Sequence, residues 1–331
     1  MKEQFRNLQE LITHFANEKK CRDYLAYKRW KGKPTCPYYR HDKVYVIEGG
    51  KRYKCASNKC YKKFSVTVGT IYEDNNLPLG KWFAAIYLMS AHKKGISSHQ
   101  LARDIGVTQR TAWFLQMRIR EMVKDKNPQA LTGTVQCDET FIGGKHKNRH
   151  WDKKSKYWKY GGRDQRDKVP VFGMLQQNGK VVAVVVKSTD RETLLPIIKE
   201  RIDMTATIVT DDYKSYASLK ADYKHKIVKY LPPKGERHQG LKYFNIDGYN
   251  TQGIENFWSV FKRGIFGIYH KVSAKHLQRY CDEFTARRNT RALMDHERFN
   301  LFMESSEGRL KYKDLRVNEV YYPYFDQPFY E

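Results

Sequence analysis

LTGTVQCDETFIGG, residues 131–144, and TATIVTDDYKSY, residues 205–216, decide the fold. Each is an apolar, β-branched run that closes on acids, Asp138 in the first and Asp211 in the second, and each reads as a strand. A third stretch, NTQGIENFWSVFKRG at 250–264, has helical spacing and carries Glu255 near its start. Carboxylates brought together from two strand ends and one helix suit a pair of hard divalent cations. Such cations take oxygen ligands, and two of them catalyse in-line displacement at phosphorus. The acids lie 73 and 44 residues apart, enough for strands and a helix between them.

Outward from these stretches, the chain alternates strands and helices. VPVFGMLQQ (169–177) and KVVAVVVKS (180–188) read as strands joined at Asn178-Gly179, a hairpin signal. RETLLPIIKERI (191–202) is an amphipathic helix ahead of the fourth strand, and a fifth strand is expected over Lys226–Leu231. Three strands, a helix, then another strand is the order of a ribonuclease-H-like α/β domain with a mixed sheet, expected over 129–300. In that architecture the first acid sits on the first strand and the second at the end of the fourth.

The composition agrees with a polyanionic partner. Lys and Arg number 62 against 36 Asp and Glu, a net charge of +26. Charge alone does not separate a nucleic-acid enzyme from a merely basic protein. Between the first two strands lies a basic insertion, 143–168, with ten Lys/Arg and only three Asp. Trp151, Tyr157, Trp158 and Tyr160 interleave with them, a pattern suited to gripping a backbone and stacking on bases. The bland reading is a solvated loop. The longest apolar run, Trp82–Met89, is too short to span a bilayer, and MKEQFRNLQELITHFANEKKC reads as an amphipathic helix rather than an export signal. A cytoplasmic, nucleoid-associated location with reduced thiols is expected.

Residues 1–75 read as a zinc-ribbon-like module. Cys36, in TCPYYRH, precedes a hairpin turning at Gly49-Gly50, and Cys55 and Cys60 flank ASNK. FSVTVGTIY (64–72) alternates like a further strand. The usual second cysteine of the first knuckle is replaced by Tyr39. Either His41 completes a structural Zn²⁺ site with Cys36, Cys55 and Cys60, with Cys21 a weaker candidate, or the ribbon has lost its metal. Residues 76–128 read as helical. Two helices over 96–123 turn at Gly106, with Ser97 or Ser98 and Thr108 as caps, a helix-turn-helix pattern. In that geometry Thr108, Gln109, Arg110 and Thr111 open the helix that enters the major groove. An ordinary helical hairpin is the alternative. Residues 301–331 are left as a tail.

With these motifs in place, the chain resembles insertion-sequence transposases of the DDE superfamily, the ISXO-like group. FSVTVGTIYEDNNLPLGKWFAAIYLM, ISSHQLARDIGVTQRTAWFLQMRIR, DETFIGGK, TDDYKSY and GIENFWSVFKRGIFGIYHKVSAKHLQRYCDEFTARRN carry the resemblance, in order, over about residues 20 to 295. It implies that Asp138, Asp211 and Glu255, rather than the adjacent Glu139 and Asp212, bind two Mg²⁺ or Mn²⁺ ions. It adds Lys262, seven residues beyond Glu255 on the same helix face, as a phosphate contact. Where the group often has His-Thr-Asn before the Ile-Glu step, this chain offers Asn250 or Gln252. The implied activity is cleavage of element ends and joining to target DNA. The implied partners are terminal inverted repeats, target DNA and further copies of the chain. A non-catalytic DNA-binding regulator and a structure-specific nuclease are the rivals.

Overall fold

The computed structural model describes residues 4–144, 168–228 and 248–317. They fall into two compact units, Met1–Lys124 with Thr290–Val317, and Asp125–Asn289. The first unit opens with α1 (Leu8–His14) and α2 (Glu18–Trp30). The single amphipathic helix expected here is split because Asn17 caps α2, its side chain accepting from the Lys19 amide at 2.8 Å. A capping asparagine favours a fresh start over continuation.

β1 (Val44–Ile47), β2 (Arg52–Cys55) and β3 (Lys63–Phe64) form an antiparallel sheet, and Gly49 and Gly50 take the positive φ values the turn requires, 61° and 84°. The strand expected over 64–72 ends at Phe64. Beyond it, hydroxyls compete for the backbone: Thr70 Oγ1 donates to the Thr67 carbonyl at 2.6 Å, and Ser65 and Thr67 hydroxyls pair at 2.7 Å. The segment becomes a set of turns. α3 (Leu79–Ala91), α4 (Ser98–Ile105) and α5 (Gln109–Val123) follow. Ser97 caps α4, Gly106 ends it at φ 62°, and Thr108 caps α5, so two capped helices form around the Gly106 turn.

The second unit is built on β4 (Thr134–Ile142), β5 (Val169–Gln176), β6 (Val181–Val185), β7 (Thr207–Asp211) and β8 (Lys224–Val228), in the order β6-β5-β4-β7-β8. β4, β5 and β6 pair antiparallel, while β7 and β8 add in parallel. That mixed order is the ribonuclease-H-like sheet. The fifth strand starts two residues earlier than the sequence suggested. α6 (Arg191–Arg201) covers one face, where Leu194, Ile197 and Ile198 bury against Val135, Cys137, Phe172 and Ile208. α7 (Gln252–Gly264), which runs into a π turn over Ile265–Tyr269, packs on β4 and β5. It sits unusually close to the sheet. A Cβ on Gly173 of β5 would lie 2.3 Å from Trp258 Cζ2, so only glycine admits that indole. α8 (Ala274–Asn289) then guards the edge strand. Gln278 accepts from the Val185 amide at 2.8 Å, and Asn289 exchanges two bonds with Val181 at 2.8 and 3.0 Å.

The chain then returns to the first unit. α9 (Asp295–Glu304) buries Phe299 among Phe15, Tyr24 and Phe83, and Arg298 Nη1 donates to the Ser90 carbonyl at 2.7 Å. Residues 305–317 follow, bridging through Glu307 to Thr70. Residues 290–300, expected in the ribonuclease-H-like domain, and 301–317, expected as a tail, group with the first unit. Residues 145–167 of the basic insertion, Trp151 and Trp158 among them, and 318–331 lie outside the described residues. Among the described residues no helix is long and apolar enough to cross a membrane.

Candidate active site

Asp138 and Asp211 are brought together by strand register. Val135 pairs with Ile208 and Gln136 with Val209 along the parallel β4–β7 ladder. Continued to the strand ends, this register sets Asp138 level with Asp211. Alternation decides which neighbour shares their face. Val135, Cys137 and Ile208 face α6, so Gln136, Asp138, Val209 and Asp211 face the other way, toward α7. Glu139 falls on the α6 side, where its carboxylate takes a short hydrogen bond from the buried Tyr216 hydroxyl.

Glu255 reaches the same face from α7. The helix start is fixed by Gln136, whose Oε1 accepts the Ile254 amide at 3.0 Å. Gly253 makes this approach possible, because a Cβ there would lie 2.7 Å from that oxygen. Two residues before Gly253, Thr251 donates its hydroxyl to Glu255 Oε1 at 2.8 Å. Lys262 sits in the last turn of α7, exposed at its head. Asn250 Oδ1 accepts the Gln252 amide at 3.1 Å, so that asparagine caps the backbone just ahead of the helix.

The electrostatics of Asp138 carry the influence of the other three residues. Burial lifts the Asp138 carboxyl to about 7, and the charge of Asp211, and less strongly that of Glu255, pushes the same way, while Lys262 opposes them. Burial also raises Asp211. Glu139 rises to about 8, chiefly through burial, against the pull of the Tyr216 bond. A crowd of oxygen donors that resists ionisation is an environment a divalent cation would relieve. The oxygen-only donor set fits Mg²⁺ or Mn²⁺. Among the described residues the three carboxylates are not closed to a 4.8 Å knot, and the group that meets that distance is Cys36, Cys55 and Cys60.

These cysteines form the second candidate centre. Cys36 and Cys60 Sγ lie 3.8 Å apart, about the edge of a tetrahedron with ~2.3 Å Zn–S bonds. The donors fit zinc, with three thiolates supplied. His41 does not join them. Its carbonyl accepts the Cys36 amide at 2.9 Å, while its ring turns to Asp42 at 3.8 Å. Cys21 is buried elsewhere, donating to the Phe15 carbonyl at 3.3 Å. At the helix-turn-helix, Thr108 accepts from the Thr111 amide, Gln109 Nε2 donates to Ser98 Oγ at 2.8 Å, and the exposed Arg110 lies over the Tyr312 ring at 5.1 Å.

Sequence reasoning missed the supports. Tyr216 stands in the TDDYKSY stretch itself, five residues past Asp211, yet only the folded sheet puts it against Glu139. Gln136, Gly173 and Thr251 likewise have no local signal, because each is defined by a residue remote in sequence or by one helix turn.

A family model for the ISXO2-like transposase domain matches residues 130–289, and one for the transposase zinc-ribbon domain matches residues 16–63. The chain is 27% identical over 220 residues to the uncharacterized protein in transposable element ISH50 of Halobacterium salinarum, covering 64% of this chain and 73% of that protein. It is 31% identical over 105 residues to an uncharacterized transposase-like protein of Haemophilus influenzae, 31% of this chain and 76% of that one. A solved pre-cleavage Mos1 transpososome aligns at 13% identity over 66% of this chain and 76% of that one, with a TM-score of 0.17, too low to weigh. Two matched domains in the expected order, and a relative covered over most of its length, place the chain in the ISXO2-like group of DDE transposases.

Proposed function

We propose that the protein cuts the ends of its own insertion element and joins them to target DNA, with Asp138, Asp211 and Glu255 as the metal-binding acids. The observation that carries this reading is the shared face. Register sets Asp138 beside Asp211, α7 brings Glu255 over them, and Asp138 feels both other acids and Lys262. When bound there, two Mg²⁺ or Mn²⁺ ions would activate the attacking oxygen and stabilise the leaving one. The protein's own residues do the rest. The Thr251 hydroxyl orients Glu255. Gln136 holds the first turn of α7 in place. Lys262 offers an ammonium to a DNA phosphate. Thr108, Gln109, Arg110 and Thr111 read the terminal inverted repeats from the major groove. Trp151 and Trp158 of the basic insertion grip DNA near the cut. Copies of the chain assemble on the paired ends.

The test is a set of isosteric changes. Asp138→Asn, Asp211→Asn and Glu255→Gln are each expected to abolish cleavage and strand transfer while leaving end binding within about twofold, because each removes a ligand and no groove contact. Near-normal strand transfer by any of them would remove that residue from the assignment. Cleavage without joined products would point to a nuclease, and end binding without metal-dependent cleavage to a regulator.

A further inference from the structure

The segment after α9 has no role in the reading above, yet it is built against the helix proposed to read DNA. Arg110, Phe114 and Arg118 of α5 are spaced four apart and share one helix face. On that face the rings and guanidiniums form a ladder. Arg118 lies 4.5 Å over Phe114, Phe114 meets Tyr312 edge-on at 5.4 Å, and Tyr312 lies 5.1 Å from Arg110. Trp113 adds a second edge contact to Tyr312 at 6.4 Å.

The segment is held there from several sides. Arg118 Nε donates to the Leu310 carbonyl at 3.0 Å, two residues before Tyr312, and its Nη1 bonds the Ile71 and Glu73 carbonyls at 2.9 and 2.7 Å. Ile71 N donates to the Ser306 carbonyl at 3.0 Å, and Arg309 pairs with Glu73 and Asp74. Leu310 and Leu315 are buried. Between and beyond those anchors Lys311, Lys313 and Arg316 are exposed. The acid among them, Asp314, accepts the Lys311 amide at 2.9 Å, so one of its oxygens is spent on the turn. The outer surface is therefore basic, and it runs beside the first turn of α5.

We propose that residues 309–316 are a DNA-contacting strap. Tyr312 pre-sets the Arg110 guanidinium for a base edge, and Lys311, Lys313 and Arg316 meet phosphates flanking the groove that α5 enters. The inference rests on the proposed DNA-reading role of α4 and α5. Its chemistry follows from position. A stacked arginine loses less freedom on binding than a loose one, so Tyr312 acts on sequence preference through Arg110. Lysines on a fixed turn act on the backbone without regard to sequence.

The experiment measures affinity of the full-length protein for element-end and random duplexes across a salt series. Tyr312→Ala is expected to lower the end-over-random ratio roughly 2- to 10-fold, the cost of immobilising one rotamer-rich side chain, and Tyr312→Phe to preserve it. The triple variant Lys311→Ala/Lys313→Ala/Arg316→Ala is expected to weaken both duplexes alike and to lower the salt slope by about three units. Thermal melting of each variant reports whether the first unit stays folded. An unchanged ratio in Tyr312→Ala together with an unchanged slope in the triple variant overturns the strap. Tighter binding by Tyr312→Ala also overturns it, because the segment then covers the helix instead of preparing it. Arg110→Ala separates this from the underlying reading. If Arg110→Ala leaves end preference intact, the helix-turn-helix reading fails. If Arg110→Ala lowers it while Tyr312→Ala leaves the ratio and the triple variant leaves the slope unchanged, the strap alone fails.

Discussion

At the scale of single residues, the site stores an electrostatic cost. Asp138 is held at about 7 against an ordinary 3.8, and Glu139 at about 8 against 4.5, both chiefly by burial. The metal-free native state therefore binds more protons than the unfolded chain between about pH 4 and the raised values. The advantage is full below the unfolded pKa and is lost as pH rises through the folded one. Metal-free protein is expected to melt higher near pH 5 than near pH 8. Mg²⁺ is expected to restore melting more at pH 8 than at pH 5, since a cation replaces the missing protons. Asp138→Asn should flatten the pH profile and weaken the Mg²⁺ effect. Calorimetry across pH, with and without Mg²⁺, checks this, and a profile identical in wild type and Asp138→Asn would dissociate the burial cost from this carboxyl. The pairing itself was half legible in the sequence. Alternation says that Asp138 and Glu139 part company, but which one faces α7 depends on β5, β7 and α6 settling the inward face, information spread over the whole sheet.

At the scale of elements, legibility followed the range of the interactions. Capped helices and the Asn178-Gly179 hairpin were readable because their causes lie within four residues. Phe64–Tyr72 misled because alternation was real but hydroxyl-to-backbone bonds won locally. The ribbon shows a third case. Its two cysteine knuckles were visible, and the fold draws Cys36, Cys55 and Cys60 together, but the nearest histidine in sequence, His41, is not one of that group. A three-thiolate site makes a definite forecast. Purified protein is expected to hold one zinc per chain, lost in Cys55→Ser and Cys60→Ser and retained in His41→Ala. Metal analysis by mass spectrometry decides it. Loss of zinc in His41→Ala would return that ring to the ligand set, and metal-free wild type with a folded ribbon would favour a scaffold that no longer needs its ion.

At the scale of the whole molecule, the first unit is assembled from two stretches of chain separated in sequence by the second unit. The first unit closes with residues 290–317 because Arg298 and Phe299 find their partners near residues 83 and 90, a separation no local pattern encodes. The charge, by contrast, is legible without any fold, and it leads to the broadest forecast. A chain with +26 net charge should bind DNA with steep salt dependence, and ten of its basic residues sit in the 143–168 insertion that follows the Asp138 strand. In sequence the insertion directly follows β4, the strand that carries Asp138, and not α4 or α5, the helices proposed to read the element ends. Deleting 147–166 is therefore expected to leave element-end preference in place, to cripple cleavage and strand transfer, and to lower the salt slope by about one unit for each phosphate contact removed. A solvated loop would change neither the slope nor the rate. Filter binding over a salt series, paired with a strand-transfer assay on the same preparation, separates the two. If slope and rate both stay at wild-type values, Trp151, Trp158 and their basic neighbours lose their assignment, while the three acids on the sheet and α7 keep theirs.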